Sequence, residues 1–209
     1  MTKQLMGSLF IVAAPSGGGK TSLVKRVISE LPDLVVSISH TTREQRPGET
    51  DGLHYFFTDE AQFVDMIHAD FFVEYARVFD HYYGTSRTEI TERLRQGLDV
   101  ILDIDWQGAA QIKQLFPEAV SVFILPPSLL ALKKRLMDRQ RDEAGVIHNR
   151  MQRAREELSH YNEFDYLIVN DDFDQAANEL SVVILATRLR MPYQAIRMRK
   201  LLSFLLSSQ

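Results

Sequence analysis

Three consecutive glycines followed by a lysine and a threonine can hold phosphate, and the chain carries that order in Ala14-Pro15-Ser16-Gly17-Gly18-Gly19-Lys20-Thr21. Glycines lack a Cβ, so the backbone can curl until successive N–H groups point into one concavity. A helix starting behind the loop adds the positive end of its dipole. In the pattern G-x-x-x-x-G-K-[ST] the lysine reaches the β- and γ-phosphates of a nucleoside triphosphate and the hydroxyl ligates Mg²⁺. Lys20 and Thr21 take those places, with Ser22 next in line. Ala14 stands where the first glycine is expected, a small change at a strand end. A turn that only links a strand to a helix would explain the glycines, but not a lysine and a hydroxyl at the helix start.

Further residues give the loop company. Asp103 and Asp105 end the apolar run Val100-Ile101-Leu102-Asp103-Ile104-Asp105, where a Mg²⁺-holding aspartate is expected. Either acid could instead cap the next helix. Arg43 and Arg46, with Tyr55 close in sequence, suit a second phosphate, that of an acceptor nucleotide. In isolation such arginines are more often a solvated loop. Glu74 lies among Phe72, Val73, Tyr75 and Val78. Strand alternation could turn it to solvent; otherwise it needs a buried polar partner. A carboxylate can accept two parallel N–H bonds, an edge that guanine offers and adenine does not.

The elements that must position these groups follow from periodicity. Leu9 to Ala13 reads as a strand into the loop, and Thr21 to Leu31 as a helix out of it. Leu34 to Ser39 reads as a second strand. From Arg43 to about Arg95 the strand–helix rhythm is lost, which predicts an inserted, mixed, mostly antiparallel subdomain. It includes a helix capped by Asp59, a strand over Phe71 to Phe79, and a helix opened by a Ser86/Glu89 capping box. The rhythm resumes with the strand ending at Asp105, a helix from Trp106 to Phe116, a strand from Ala119 to Leu125 and a helix capped by Ser128. The charged stretch from Arg139 to Gly145 reads as a mobile lid. A helix from about Val146 to Asn162, a strand from Tyr166 to Asn170 and a helix from Phe173 to about Arg190 complete the pattern. The fold expected is α/β, a P-loop NTPase fold with a parallel sheet core, an inserted mixed α/β subdomain and a short helical lid. The boundaries expected within this single domain are core 1–42, 96–138 and 163–209, insert 43–95 and lid 139–162.

Composition narrows the class. A net charge of −4 argues against a general nucleic-acid surface, and the lack of cysteine excludes disulfides and cysteine-ligated metals. No apolar run approaches the roughly 20 residues a membrane span needs. The apolar stretch at Leu5 to Ala14 runs straight into the loop, so it reads as a core strand rather than a signal peptide, and a cytoplasmic location is the default. The tail turns from basic at Arg197, Arg199 and Lys200 to apolar at Leu201 to Leu206. A membrane-surface helix is one reading; a helix packing on its own domain or on another subunit is the favoured one, so a homo-oligomer through the C-terminal helix is an expectation.

Taken together, five segments resemble the guanylate kinase family of bacterial type. They are the loop Ala14 to Thr21; Ser39-His40-Thr41-Thr42-Arg43 with Arg46-Pro47-Gly48-Glu49; Tyr82-Tyr83-Gly84-Thr85-Ser86; Asp103-Ile104-Asp105-Trp106-Gln107-Gly108; and Ile168-Val169-Asn170-Asp171-Asp172. The resemblance runs from about Leu9 to Arg190. It implies transfer of phosphate from ATP, with Mg²⁺, to GMP. It implies that Arg43, Arg46, Tyr55 and Tyr83 hold the GMP phosphate and that Ser39, Glu74, Thr85 and Asp105 read guanine. It further implies that Arg135, Arg139 and Arg150 close over the ATP and that Asn170 lies near the adenine, with Lys20, Arg43, Arg139 and Arg150 assisting transfer. Gln140, Ala144 and Gly145 depart from the family's lid pattern, which weakens the assignment of single lid arginines. Two rivals stand beside this reading. A P-loop kinase for another acceptor would leave Glu74 unpaired. A non-catalytic peptide-binding module of the same fold would be expected to have lost the loop, whereas Gly19-Lys20-Thr21 are intact here.

Overall fold

A computed structural model describes residues 7–78, 80–139 and 144–207, and leaves the side chains at 138, 139 and 144–150 outside that description. The lid guanidinium groups expected of Arg139 and Arg150, together with Gln140, therefore lie outside the described residues.

The apolar runs become a parallel sheet. Strands β1 (Leu9–Ala13), β2 (Leu34–Val36), β7 (Asp99–Asp103), β8 (Val120–Leu125) and β9 (Tyr166–Val169) lie side by side in the order β2-β7-β1-β8-β9, with every pairing parallel. Strand alternation divides their side chains between two faces. Phe10, Val12, Ile101, Val122, Ile124 and Ile168 pack on helices α1 (Lys20–Glu30) and α7 (Phe173–Arg188), through Leu23, Val27, Leu180 and Ile184. Leu9, Ile11, Val100 and Leu102 pack on α3 (Arg87–Arg95) and α4 (Trp106–Leu115), through Ile90, Leu94 and Ile112. Each such side chain contributes about 1.5–3 kcal/mol when fully buried. A buried ion pair adds a polar tie: Arg188 Nε meets Asp99 Oδ2 at 2.7 Å, and Asp99 Oδ1 also accepts the Ser8 N–H at 2.6 Å.

The second strand is shorter than expected. Ser37 N–H still donates to Ile101 O at 3.0 Å, but the chain then leaves the sheet, and Ser39 O accepts from Phe56 N–H at 3.0 Å in a second sheet. That sheet has the order β4-β3-β6-β5, formed by β3 (His40–Thr41), β4 (Phe56–Phe57), β5 (Phe72–Val78) and β6 (His81–Ser86). β3 and β4 run parallel, and the other two pairings are antiparallel. Helix α2 (Glu60–His68) starts on Asp59, whose Oδ1 accepts the Gln62 N–H at 2.8 Å. Only half of the capping box at α3 forms: Ser86 Oγ accepts the Glu89 N–H at 3.3 Å, while the Glu89 carboxylate pairs with Arg93. α5 (Leu129–Arg139) and α6 (Ala144–Ser159) meet through Leu132, Leu136 and Ala154, and a 3₁₀ turn (Tyr161–Glu163) leads to β9. The short α8 (Met191–Arg197) and α9 (Arg199–Ser207) follow, and α9 exposes Leu201, Leu202, Phe204, Leu205 and Leu206. Among the described residues no helix is long and apolar enough to cross a membrane.

Candidate active site

The loop between β1 and α1 turns through two residues at positive φ, Gly17 (86°) and Gly19 (93°). Gly19 has a second reason to be glycine, because a Cβ there would come within 2.2 Å of Asn170 Nδ2. That amide donates to Gly18 O at 2.8 Å from the end of β9, and Gly18 N–H closes the turn onto Pro15 O at 2.8 Å. Arg135 Nη2 bonds Asn170 O at 2.8 Å, while its buried Nη1 has no hydrogen-bond partner among the described residues. Asn170, expected beside an adenine, thus has its side-chain amide committed to the loop backbone.

Lys20, Thr21 and Asp103 converge where the carboxyl ends of β1 and β7 adjoin. Lys20 Nζ lies 2.7 Å from Asp103 Oδ1 and donates to Ile104 O at 2.7 Å. The Thr21 hydroxyl donates to Asp103 Oδ2 at 3.0 Å. A hydroxyl and a carboxylate are hard oxygen donors, and Mg²⁺ is commonly held by one or two such groups plus phosphate and water. The pair fits that ion. Thr21 and Ser22 are exposed at the start of α1. Asp105 caps α4, accepting the Gly108 N–H at 2.9 Å with one oxygen and Gln107 Nε2 at 3.1 Å with the other.

Glu74 is 3% exposed, so the solvent-facing alternative is closed. The register of β5 against β6 slips between Phe72 and Glu74, a bulge that leaves Phe72, Val73 and Glu74 all buried in succession. Simple alternation could not foresee that. Thr85, directly opposite, donates its hydroxyl to Glu74 Oε1. Burial pushes the Glu74 carboxyl up to about 7; the Thr85 bond and the charge of Lys20 oppose this, and Asp105 adds to it. The structure does not bring the Ser39 hydroxyl into hydrogen-bond contact with this pair.

On the other wall, the Arg43 guanidinium lies 5.3 Å from the centre of the Tyr55 ring, and Tyr55 and Tyr83 meet edge-on at 6.0 Å. Arg43 Nη2 meets both Glu49 oxygens, at 2.8 and 3.0 Å, and Arg46 N–H donates to Glu49 at 2.8 Å. Burial works against the Arg43 charge, but Glu49 and Tyr83 outweigh it and hold its pKa above the ordinary value. Arg46 is exposed. Burial, helped by the charge of Asp103, pushes the Tyr55 phenol up to about 12.

A cavity of about 280 Å³ opens beside Asp105, lined among others by Arg77, Trp106, Gln107 and Glu157. Trp106 stacks flat on His160, with ring centres 3.5 Å apart.

Curated and solved proteins resemble this chain throughout. The family model described as guanylate kinase matches residues 6–187. The chain is 59% identical over 209 residues to a guanylate kinase of Legionella pneumophila (strain Lens), covering all of both chains. It is 54% identical over 203 residues to one from Escherichia coli O157:H7, covering 96% of this chain and 98% of that one. The chain belongs to the guanylate kinase family. A crystal structure of guanylate kinase from Anaplasma phagocytophilum, 30% identical, covers 90% of this chain and 89% of its own with a TM-score of 0.76. The parallel core and second mixed sheet are thus those of a family member.

Three residues of this site had no role in the sequence reading. Glu49 orders Arg43 and Arg46; its place after Arg46-Pro47-Gly48 was visible, but its partners were not. Gly108 faces Glu74, where a Cβ would stand 2.5 Å from Oε2. Glu157 on α6 bonds the loop at Ser16. No local signal marks either contact, since both join distant segments.

Proposed function

We propose that this chain transfers the γ-phosphoryl group of ATP to GMP, giving ADP and GDP. The observation that carries the reading is the short path between its halves: Lys20, on the phosphate loop, donates to Ile104 O at 2.7 Å, the neighbouring Asp105 caps the Gly108 N–H, and Gly108 faces the buried Glu74 of the Glu74–Thr85 pair. A buried carboxylate next to a hydroxyl and near Asp105 suits a base edge rich in N–H donors, which is guanine's. Adenine offers a single amino donor beside the N1 lone pair, so it cannot give the carboxylate two parallel N–H bonds.

In this reading the loop from Ala14 to Thr21, with Lys20, cradles the ATP phosphates. Thr21 and Asp103 hold Mg²⁺, which when bound neutralises charge on the phosphates. Arg135, whose Nη2 is fixed on Asn170 O beside the loop, serves ATP. Arg139 and Arg150 belong to the same reading through the family. Arg43 and Arg46, ordered by Glu49, take the acceptor phosphate beside Tyr55 and Tyr83. Ser39, Glu74, Thr85 and Asp105 read the base. An oxygen of the GMP phosphate attacks the γ-phosphorus, a new P–O bond forms, and the bond to the β-phosphate oxygen breaks to release ADP. That oxygen is already ionised at pH 7, so the protein supplies alignment, positive charge and exclusion of water rather than a base. The insert (43–95) and lid (139–162) close on the core around both substrates.

A deoxyribose acceptor fits as well, since the recognition set reads phosphate and base and asks nothing of the sugar. The reaction belongs in purine nucleotide metabolism and GMP recycling in the cytoplasm. Self-association through α9 is part of the proposal, supported by its exposed leucines and phenylalanine.

The test is ADP release with ATP and Mg²⁺ against GMP, AMP, CMP and UMP, with Glu74→Gln alongside. The expected outcome is turnover with GMP and a fall of about 100-fold in kcat/KM in the variant, the cost of turning an amide NH₂ toward donors. Turnover with another acceptor, or an unimpaired variant, would sink the guanine reading.

A further inference from the structure

Glu157 lies on α6, outside every motif that pointed to the reaction, yet its Oε2 accepts the Ser16 N–H of the phosphate loop at 2.7 Å. Two other bonds fix the loop's shape, from Gly18 N–H to Pro15 O and from Asn170 Nδ2 to Gly18 O. They tie it to itself and to the end of β9. The Glu157 bond ties it to the helix that follows the lid. An apolar contact seconds that tie. Ala154 of α6 packs on Leu132 and Leu136, and those two leucines back Gly17, where a Cβ would meet them at 3.0–3.2 Å. The position is a costly one for a carboxylate, because burial and the charges of Asp105 and Glu156 all oppose ionisation. Glu157 also lines the cavity with Asp105, Trp106 and Gln107.

We propose that Glu157 is a positioning residue of the ATP site, whose hydrogen bond to the Ser16 N–H sets the rim of the phosphate loop only while α6 is seated. This rests on the reading that the loop takes ATP. The hydrogen bond positions the loop, while the charge opposes the like charge of an arriving triphosphate. Substitution separates the two. Glutamine keeps an acceptor oxygen without the charge; alanine keeps neither.

The experiment is steady-state kinetics and calorimetric binding of ATP on the full chain for Glu157→Ala and Glu157→Gln. Alanine is expected to raise KM for ATP about tenfold while KM for GMP stays within about twofold, the size of one lost hydrogen bond. Glutamine is expected to return KM for ATP to the parent value and to bind ATP at least as tightly as the parent. The proposal is overturned by alanine kinetics equal to the parent, by equal rises in both KM values, or by ATP binding that tightens in alanine. It is also overturned by a glutamine variant that is impaired, and this arm stands even if the alanine variant does not fold. Lys20→Ala, run beside them, tests the underlying reading by itself: unchanged ATP binding there removes ATP from the loop whatever Glu157 does.

Discussion

In the role proposed for it, Glu74 brings fold stability and ligand recognition into opposition at a single carboxyl. Its folded-state pKa of about 7 lies above the ordinary carboxylate value, so the folded chain holds a proton that the unfolded chain has lost. Between the ordinary value and about 7 this group's contribution to stability therefore falls as pH rises. Guanine recognition has the opposite sign, because N–H donors need the ionised form. KM for GMP is accordingly expected to fall as pH is raised from about 6 to about 8, while KM for ATP changes little. Initial-rate measurements across that range check it, and a KM for GMP that is flat or rises with pH would contradict the assignment of Glu74. The type and setting of this residue were legible in the sequence, but its direction was not. The bulge beside it depends on how β5 meets β6, and the partner Thr85 is fixed by that pairing rather than by any local pattern.

At the scale of elements, the site depends on how closely α4 lies against β5. Gln111 clamps the backbone of Tyr75 through both its amide atoms, at 3.2 and 2.8 Å, and Gly108 sits where a side chain would strike Glu74. Gly108→Ala adds one methyl at a distance of 2.5 Å from a carboxylate oxygen, so the carboxylate must move. Loss of about 10- to 100-fold in kcat/KM for GMP is expected, with KM for ATP nearly unchanged, and kinetics with each substrate varied in turn will show it. Thermal stability should hold, since alanine is the better helix former. The strands and helices themselves were largely readable, because apolar periodicity and caps such as Asp59 and Ser128 are local signals. Where the sequence reading overran, as beyond Val36, the chain was changing sheets, a tertiary event that propensity does not record.

For the molecule as a whole, Asp99 and Arg188 hold together what the two apolar faces flank. Asp99 is fully buried on β7, and Arg188 comes from the last turn of α7 and also bonds Pro32 O at 2.7 Å. Removing the cation leaves a buried carboxylate with only a backbone donor. Arg188→Ala is expected to cost about 3 kcal/mol and to lower Tm by about 6–12 °C. Calorimetry or circular dichroism melts test this, and a shift under about 2 °C would assign the stability to the apolar faces alone.

The bond from Asn170 to Gly18 spans 152 residues of sequence. Synthesis runs from the amino end, so the glycine loop leaves the ribosome long before the strand that completes it. Until β9 docks, the backbone that would cradle phosphate lacks one of its braces, and Gly19 is free to wander. A half-made chain is thus a poor trap for nucleotide in a cell full of it. On the proposed reading, binding competence is expected to wait until the far side of the sheet closes on the near one.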